Sequence, residues 1–412
     1  RGIEQIFIVN PDVVWATAFD GTDLKNYIRE FTRTTNGGMN WMPGTITFTG
    51  SANYSVSNIF AFNATTAFVC MGTLTGTGGV IAKTTDGGIT WSTAGSPTFT
   101  NSWANWMHFF NINDGICMGD PTTSLDVVIY TTINGGTSWT QVPTANIPKA
   151  LSGEAGLMNC YDAVGNTLWF GTNKGRVYKS INKGTTWTVS STGLGGNTDV
   201  RFKDANTGFA ILRATPYTLK KTTDGGATWN PFTPSGYFVK QPFIDFVPGT
   251  TSTWVNVSDG PNHGSSYSID DCANFLNIDT GSVSYSAVAF YDVNTGWAGG
   301  NNTSSSDGGI WKCNTTFTSN NDIKQLTKPT VFVFPNPSND GRFTIQVNAK
   351  TKEDMNIRVS DLLGKNVYEE NNINFIGQFT KQIELNYLQN GIYFVSITSN
   401  NINYSTKIII QR

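Results

Sequence analysis

Charged side chains are scarce in this 412-residue sequence, at 14% of all residues, and the formal net charge is only −2. There is no basic stripe, which excludes nucleic acid as a partner. No apolar run reaches the ~20 residues of a membrane span, so no transmembrane segment is expected. With two histidines in the whole chain and no metal-type spacing of the cysteines, we expect no metal site and no cofactor.

The five cysteines are an odd number and provide no framework of disulfides. Cys70 and Cys117 occupy equivalent positions, in Cys70-Met71-Gly72 and Cys117-Met118-Gly119. We interpret them as small buried hydrophobic residues. A disulfide between them is the alternative.

What the sequence does contain is a turn phrase that recurs five times, at a spacing of 42 to 50 residues. Its pattern is Ser/Thr-x-Asp/Asn-x-Gly-x-x-Trp, and the copies are Thr34–Trp41, Thr84–Trp91, Thr132–Trp139, Ser180–Trp187 and Thr222–Trp229. A fixed period of this size indicates a repeat architecture. Strand formers flank each copy, so the phrase predicts a hairpin turn. In that turn Asp or Asn accepts backbone N–H bonds, Gly supplies a positive φ, and Trp packs underneath.

The turn phrase resembles the Asp-box, or BNR repeat, of sialidase-like β-propellers, and each copy is called a box below. A sixth, degenerate box is Ser268–Phe275, in which Phe replaces Trp. The resemblance implies that the box carboxylates serve turn geometry, because the family places no active site there.

A second phrase, in which apolar and polar residues alternate around a turn, lies upstream of each box. Its seven copies begin near Gln5, Ile59, Met107, Asn159, Val200, Ile244 and Val288. Two strands from this phrase and two around the box make a four-stranded blade, which predicts an all-β, seven-bladed β-propeller with Asp-box hairpins. The seventh copy is followed by no box, so we expect a modified closure of the ring through the N-terminal strand. Six blades with an irregular end is the alternative.

The composition changes in the last part of the chain, where Lys and Glu become more frequent and the boxes stop. We predict that residues 1–318 form the propeller, 319–330 a polar linker, and 331–412 a separate domain. Short alternating segments punctuated by Asn, Pro and Gly predict about seven strands in that domain, as in a small β-sandwich.

Residues 331–412 resemble the type A C-terminal sorting domain of the bacterial type IX secretion system. The residues that carry the resemblance are Pro335, Asn336, Pro337, Gly341, Asp361-Leu362-Leu363-Gly364-Lys365, Gly391, Tyr393 and Lys407. The resemblance implies a Bacteroidota source and export across the outer membrane to the cell surface or the extracellular space. It also implies that the translocon, its outer-membrane shuttle and a sortase recognise this segment.

Sialidase-like propellers include glycoside hydrolases, so an enzyme of that type is the alternative to a binding protein. A sialidase needs three Arg to clamp a carboxylate and a Tyr–Glu pair for its chemistry. Residues 1–320 contain only six arginines, which are Arg1, Arg29, Arg33, Arg176, Arg201 and Arg213. The family's Arg-Ile-Pro signature is absent, so we predict a non-catalytic binding or adhesion propeller with no catalytic residue.

The candidate binding face is the one opposite the boxes, formed by loops between blades and between the second and third strands of each blade. The candidate ligand-binding residues there are Trp103, Trp106, His108, Arg213 and Tyr237. The same loops carry Tyr54, Asp120, Glu154, Tyr217, Phe238, Asp259 and His263. Exposed aromatic rings stack on sugars or anchor protein partners, so we expect a glycan or a surface protein as the ligand. For the two tryptophans, packing between blades is the alternative.

Overall fold

Antiparallel β-strands make up most of the computed structural model, which describes residues 1–23, 26–214, 217–236, 242–259, 263–279, 283–302, 308–315, 317, 330–399 and 402–411. These residues contain no α-helix and two short 3₁₀ helices, Ser51–Asn53 and Thr144–Asn146. The chain divides into two compact units, Arg1–Phe317 and Thr318–Arg412. The predicted limits of the linker stay predictions, since residues 318–329 lie outside the described part of the chain.

In the described residues, the first unit consists of seven groups of consecutive strands. Groups 1 to 3 contain β1 (Gly2–Ile8), β2 (Val14–Phe19), β3 (Glu30–Thr34), β4 (Met42–Thr45); β5 (Tyr54–Ala61), β6 (Ala67–Thr73), β7 (Gly79–Thr84); and β8 (Ala104–Phe109), β9 (Gly115–Gly119), β10 (Val128–Thr132), β11 (Thr140–Gln141). Groups 4 and 5 contain β12 (Gly156–Val164), β13 (Thr167–Thr172), β14 (Arg176–Ser180), β15 (Thr188–Ser191); and β16 (Thr198–Phe202), β17 (Gly208–Leu212), β18 (Leu219–Thr222), β19 (Asn230–Phe232). After the short β20 (Ser235–Gly236), groups 6 and 7 contain β21 (Pro242–Phe246), β22 (Trp254–Ser258), β23 (Gly264–Ser268), β24 (Asn274–Asp279); and β25 (Tyr285–Asp292), β26 (Thr295–Asn302), β27 (Gly308–Lys312).

The seven groups follow one another around a closed ring. The first strand of each group contacts the first strand of the next, in the order β1, β5, β8, β12, β16, β21, β25, and β25 contacts β1 again. At four of these junctions a side-chain oxygen accepts a backbone N–H of the next first strand, in the pairs Gln5–Ile59 (2.8 Å), Asn58–Met107 (3.0 Å), Asp162–Phe202 (2.5 Å) and Asp245–Phe290 (2.7 Å). The prediction of an all-β propeller is confirmed, and seven groups are what a seven-bladed ring requires.

The ring closes between group 7 and group 1. Gly2 pairs with Asn301 of β26, and the Asn302 N–H donates to the Arg1 carbonyl at 2.8 Å. β1 otherwise pairs with β2, so it begins group 1 and does not complete group 7. The expected closure through the N-terminal strand is therefore limited to one residue pair. Side-chain packing and side-chain hydrogen bonds join the rest of the seam, as where Ser286 Oγ donates to the Ile3 carbonyl at 2.7 Å. The rings of Trp41 and Trp297 meet there edge to face, with centroids 5.3 Å apart.

Large aromatic side chains fill the interior of the groups and the spaces between them. The fully buried tryptophans are Trp15, Trp106, Trp169 and Trp254. Cys70 and Cys117 share one buried cluster as free thiols. This state agrees with their interpretation as small hydrophobic residues and not with the alternative disulfide.

The second box shows how the repeated turn forms. The Thr84 hydroxyl accepts the Gly88 N–H at 2.9 Å and donates to Asp86 at 2.8 Å. Asp86 also accepts both the hydroxyl (2.6 Å) and the N–H (2.9 Å) of Thr90, and these bonds lower its pKa to about 2. Trp91 then packs under the turn with 6% of its surface exposed. Gly87 and Gly88 have φ values of 78° and 89°, so the predicted roles of Asp, Gly and Trp are all observed in this turn.

The degenerate box keeps the same turn without glycine. Ser268 Oγ accepts the Cys272 N–H at 3.0 Å, as Thr84 does for its glycine. Asp271 and Cys272 adopt φ values of 54° and 66°, in the left-handed region that favours glycine. Phe275 is buried in the place of Trp. Side-chain hydrogen bonding therefore preserves the turn when the glycines are lost.

In its described residues, the second unit is a five-stranded sheet. Its strands are β28 (Thr330–Phe334), β29 (Arg342–Ser360), β30 (Asn366–Glu384), β31 (Gly391–Thr398) and β32 (Asn403–Ile410). β29 and β30 pair on both sides of a register break between Ala349 and Glu353, and β28 and β31 join different halves of β29. Two long strands thus take the place of four short ones, which is why five strands form where about seven were predicted. One hydrophobic cluster spans both halves of the sheet, and the β-sandwich arrangement stays a prediction.

Candidate functional site

A cavity of about 760 Å³ lies at the end of the ring opposite the boxes. Successive strands alternate in direction, so the boxes share one end of the ring with the turns between first and second strands. In group 2, for example, the Gly87 N–H of the box donates to the Thr65 carbonyl of such a turn at 2.9 Å. The cavity is lined from the other end, by loops between second and third strands and by the starts of first strands. The site is therefore on the face that the sequence predicted for ligand binding.

Trp103 forms an aromatic wall of this cavity. It directly precedes β8, and its ring lies over Gly72 of β6, where an added Cβ would be 1.8 Å from Trp103 Cε2. Its Nε1–H donates to the Thr73 carbonyl at 3.0 Å. The absence of a side chain at Gly72 and this hydrogen bond fix the indole, which remains partly exposed. A ring held in this way is suited to stacking on a ligand.

Glu4 faces the cavity because of an irregularity in β1. The register between β1 and β2 shifts between Ile3 and Gln5, so Glu4 is an extra residue that the strand's alternation does not turn into the core. Its side chain is exposed to the open cavity, but protein surrounds it on several sides. This burial raises the pKa of Glu4, Arg213 opposes the rise, and Asp259 adds to it.

Two further carboxyl groups of the cavity hold their protons more tightly than they would in water. Burial raises the pKa of Asp259, and Arg213 opposes the rise. Burial also raises the pKa of Asp120, although it accepts hydrogen bonds from Asn105 Nδ2 at 2.8 Å and from the Gly156 N–H at 2.9 Å. A carboxylate in such surroundings accepts hydrogen bonds from a ligand, and it can donate one once it is protonated.

The two arginines of the cavity share one buried carboxylate. Asp199 lies 2.6 Å from Arg213 Nη2 and 2.8 Å from Arg201 Nη1. Burial would raise the pKa of Asp199, but the two guanidinium charges outweigh it and hold the pKa below its usual value. Arg213 is 33% exposed and lies 5.6 Å from the ring centroid of Phe243. Asp199 therefore neutralises part of the charge of Arg213, and the exposed part of the guanidinium group remains available to a ligand in the cavity.

The structure brings together some of the predicted ligand residues and separates others. Trp103 and Arg213 line the cavity, together with Asp120 and Asp259. Trp106 does not, because it is completely buried and stacks on Tyr161 with centroids 4.8 Å apart. The register of β8 shifts between Ala104 and Trp106 and turns this ring into the core, so its prediction as a ligand residue is wrong and the alternative, packing between blades, is correct.

His108 and Glu154 are also separate from the cavity. His108 packs against the rings of Phe60, Phe110 and Tyr161, and its burial lowers its pKa to about 4. Glu154 is buried and accepts a hydrogen bond from Arg176 Nε at 3.1 Å. Glu154 is buried, so its prediction as part of the binding face is wrong. His108 is partly exposed but does not line this cavity, and its role as a ligand residue stays a prediction.

The remaining residues of the predicted binding face either do not line the cavity or lie outside the described part of the chain. Tyr54, Tyr217 and His263 are described but do not line the cavity. Tyr237 and Phe238 lie outside the described residues, so their prediction stays untested. Residues that sequence reasoning missed are Glu4, Phe19, Asp20, Asn26 and Tyr27. Most of these follow β2, at the same topological position as Asp120, Arg213 and Asp259, so an alignment of the strand groups would have found them.

A second cavity of about 630 Å³ lies at the box end of the ring. Asp162 and Asp245 line it, and each accepts a backbone N–H from the next first strand. Burial raises the pKa of Asp162 to about 6 and that of Asp245 to about 7, with Arg201 opposing both rises. The described residues contain no group of three or more His, Cys, Asp or Glu that could hold a metal ion. They also contain no helix with the length and apolarity to cross a bilayer.

Asn336 fastens the start of the second unit to its last strand. Its side-chain amide donates to the Lys407 carbonyl at 2.7 Å and accepts the Ile409 N–H at 3.0 Å. The Ser338 N–H then donates to the Ile409 carbonyl at 2.8 Å, and the Gln411 N–H donates to the Ser338 carbonyl at 2.9 Å. The segment around Pro335 and Pro337 therefore acts as an additional partner for β32.

The other residues of the predicted secretion signal have structural positions of their own. Gly341 has φ +79° and its carbonyl accepts the Leu385 N–H at 2.8 Å. Gly391 begins β31, where Tyr393 is buried and donates its hydroxyl to the Gln389 carbonyl at 2.9 Å. Lys407 is exposed on β32. Gly364 belongs to the turn between β29 and β30.

Comparison with known families agrees with this division of the chain. Residues 332–411 match the family model described as the secretion system C-terminal sorting domain. Residues 67–198 match the model of the photosynthesis system II assembly factor YCF48. The chain therefore combines a BNR-type β-propeller with a type IX secretion sorting domain, and that system exports it to the cell surface or the extracellular space.

Solved structures show the same fold at low sequence identity. YCF48 from Cyanidioschyzon merolae is 14% identical with a TM-score of 0.54, and the match covers 76% of this chain and 95% of that one. An ancestral GH74 enzyme is 14% identical with a TM-score of 0.53, covering 99% of this chain and 62% of that one. No curated protein matches the sequence. Identities this low support the fold alone, so the role of the cavity must be argued from its own geometry.

Proposed function

We propose that the protein is a non-catalytic binding or adhesion module of the cell surface, which holds a glycan or a segment of a surface protein in the cavity beside Trp103. The observation that carries the proposal is the cavity itself. Its volume of about 760 Å³ falls within the range of ligand sites, roughly 300–1,000 Å³. Its wall joins a fixed indole to carboxyl groups and a guanidinium group that converge from several strand groups.

The site chemistry suits a ligand with many hydrogen-bonding groups. Glu4, Asp120 and Asp259 supply oxygens, and Arg213 supplies donors. Trp103 supplies an apolar face against which a sugar ring or an aromatic side chain can stack. The arginines support a binding role over sialidase chemistry, because Arg201 and Arg213 already share Asp199 and a sialidase must direct three arginines at its substrate.

Binding can be measured on arrays of immobilised glycans and on intact cells, with purified full-length protein. Trp103→Ala should lower binding at least about tenfold, since stacking on an aromatic ring contributes about 0.5–1.5 kcal/mol beyond burial of its area. Tyr291→Ala is the matched control, because Tyr291 is 42% exposed and does not line the cavity. Equal binding by the wild type and both Trp103→Ala and Asp259→Asn would exclude the cavity as the site.

A glycoside hydrolase is the second candidate. The observation in its favour is that Glu4 and Asp259 share one cavity and both have a raised pKa, a property that general acids need. We propose that the protein does not hydrolyse sialosides or common glycoside reporters. Turnover that disappears in Glu4→Gln, Asp259→Asn or Asp120→Asn would replace the binding proposal with the enzyme.

We also infer that the outer-membrane shuttle and the sortase of the type IX system act on residues 331–412. This inference is supported by the sorting-domain match over residues 332–411. Mass spectrometry of the exported protein would show whether the sorting domain has been removed. An intact C-terminal segment on every exported molecule would argue against the action of a sortase.

A further inference from the structure

The turn between β29 and β30 carries the most exposed large apolar side chain of the described residues. Leu363 is 94% exposed, and its neighbour Leu362 is 66% exposed. The hydrophobic cluster of the second unit contains neither leucine. Tight turns usually carry Asn, Asp, Gly or Ser at their tips, so two leucines at this position need a reason outside the fold of the unit.

The turn is rigid. The Asp361 carboxylate accepts the N–H groups of Leu363 and Lys365, both at 2.9 Å. The Asp361 N–H donates to the Lys365 carbonyl at 3.0 Å, and Arg358 Nη2 donates to the Gly364 carbonyl at 3.2 Å. Gly364 provides a φ of +82°. The two leucines are therefore displayed in a fixed position, which reduces the entropy lost when a partner binds them.

The rest of the unit leaves this turn uncovered. A Cβ added to Gly364 would meet no atom within 4 Å, so the glycine serves the backbone conformation and not a close contact. Arg358 and Lys365 are exposed beside the leucines, while the Asp361 carboxylate is used within the turn. The surface at this tip is thus an apolar pair flanked by positive charge.

We propose that Leu362 and Leu363 are a contact through which the type IX secretion machinery recognises this protein. The partner is chosen because the turn belongs to the segment that matches the sorting domain, whose role is to be bound by that machinery. The chemistry predicts an apolar recess on the receptor with acidic groups at its rim. This inference concerns export and is independent of the ligand of the propeller.

The test is export of the full-length chain in a host that has a type IX system. The variant Leu362→Ser/Leu363→Ser should accumulate in the periplasm and lower the exported fraction at least about tenfold, because two exposed apolar anchors are lost. The matched control is Ile133→Ser/Ile181→Ser in two boxes, where the side chains are 82% and 67% exposed. The control removes similar exposed apolar surface and should be exported normally. Both proteins should melt at the wild-type temperature.

Two further variants separate recognition from folding. Leu362→Met/Leu363→Met retains an apolar tip and should be exported normally, whereas Lys365→Glu reverses the flanking charge and should lower export without changing the melting temperature. Normal export of both the serine variant and Lys365→Glu overturns the proposal. So does equal failure of the methionine and serine variants, because a requirement for the turn's exact side chains would not be apolar recognition. Loss of self-association in the serine variant with unchanged export would assign the leucines to a second copy of the chain instead.

Discussion

The ring of Phe31 lies directly beneath Gly88, although the two residues belong to neighbouring strand groups. A Cβ on Gly88 would be 2.2 Å from Phe31 Cζ. The same relation joins group 7 to group 1, where a Cβ on Gly38 would be 2.1 Å from Trp297 Cη2. The second glycine of these boxes therefore has two roles, since it supplies a positive φ and makes room for a ring of the preceding group.

Substitution at Gly88 should separate these two roles. Gly88→Ala should lower the free energy of unfolding by about 2–5 kcal/mol, from about 1–2 kcal/mol for the left-handed backbone and about 1–3 kcal/mol for overpacking against Phe31. Gly165→Ala is the control, because Gly165 has φ +60° and a Cβ there would meet nothing within 4 Å. It should lose only the backbone part. Equal losses in urea unfolding of the two variants would show that the contact with Phe31 contributes nothing.

The box carboxylates should stabilise the fold in a way that acid removes. Asp86 has a folded pKa of about 2, below its usual 3.8, so its stabilisation is present above about pH 4 and is lost as the pH falls toward 2. Asp86→Ala should lower the melting temperature at pH 7. Asp86→Asn should change it little, because Asn36 and Asn134 accept the equivalent N–H bonds in other boxes.

The measurement is thermal unfolding of the three proteins at pH 7 and at pH 2.5. The melting temperatures of the wild type and Asp86→Ala should differ less at pH 2.5 than at pH 7, because the wild type loses most of the contribution of the ionised carboxylate. If Asp86→Ala and the wild type have the same melting temperature at pH 7, the hydrogen bonds of Asp86 in the box turn do not stabilise the fold.

Asp245 should act in the opposite direction. Burial raises its folded pKa to about 7, with Arg201 opposing and Asp162 adding to the rise. The folded state then binds more protons than the unfolded state, so the contribution of Asp245 to stability falls as the pH rises from about 4 to 7. Asp245→Asn keeps an oxygen for the Phe290 N–H and removes the charge.

Urea unfolding at pH 5 and pH 8 tests whether the contribution of Asp245 to stability falls as the pH rises. Asp245→Asn should gain stability relative to the wild type on going from pH 5 to pH 8. Asp12→Asn, at an exposed position, should show no such change. If the difference between Asp245→Asn and the wild type is the same at both pH values, the carboxyl group does not titrate in this range.

Removal of the second unit should stop export without unfolding the first. The two units have separate hydrophobic clusters, so a chain that lacks residues 331–412 should fold as a propeller and remain in the periplasm. Residues 321–412 fused to a foreign protein should direct it outward in a host with the type IX system. Cell fractionation measures both results, and secretion of the truncated propeller at normal levels would contradict the role of the domain.

The sequence predicts best what depends on neighbouring residues. The turn around Asp86 and Trp91 follows from residues within one box, and the turn around Gly364 follows from Asp361. These features were therefore predictable with their residues. The family resemblance of the C-terminal segment rests on similarly local motifs, from Pro335 to Lys407, and the comparisons confirmed it.

The cavity was harder to predict because its residues come from distant groups and from irregular strands. Glu4 and Trp106 both lie next to shifts in register, which move side chains from one face of a strand to the other. Strict alternation cannot reveal such shifts. The sequence therefore contains no signal for Glu4, and it leaves Trp106 as a candidate for the ligand face although this side chain is in the core.

The seam at Gly38 and Trp297 has a consequence for folding kinetics. These two residues are 259 positions apart, and no strand is shared along the seam beyond the Gly2–Asn301 pair. Contacts at this separation gain little until the intervening groups have formed, because the entropy of closing so long a loop opposes them. We therefore expect the first and last groups to join late in folding, which leaves Trp41 and Trp297 exposed until the ring closes. An incompletely closed ring presents this apolar surface to other chains, so we expect aggregation to compete with folding at that stage, before export.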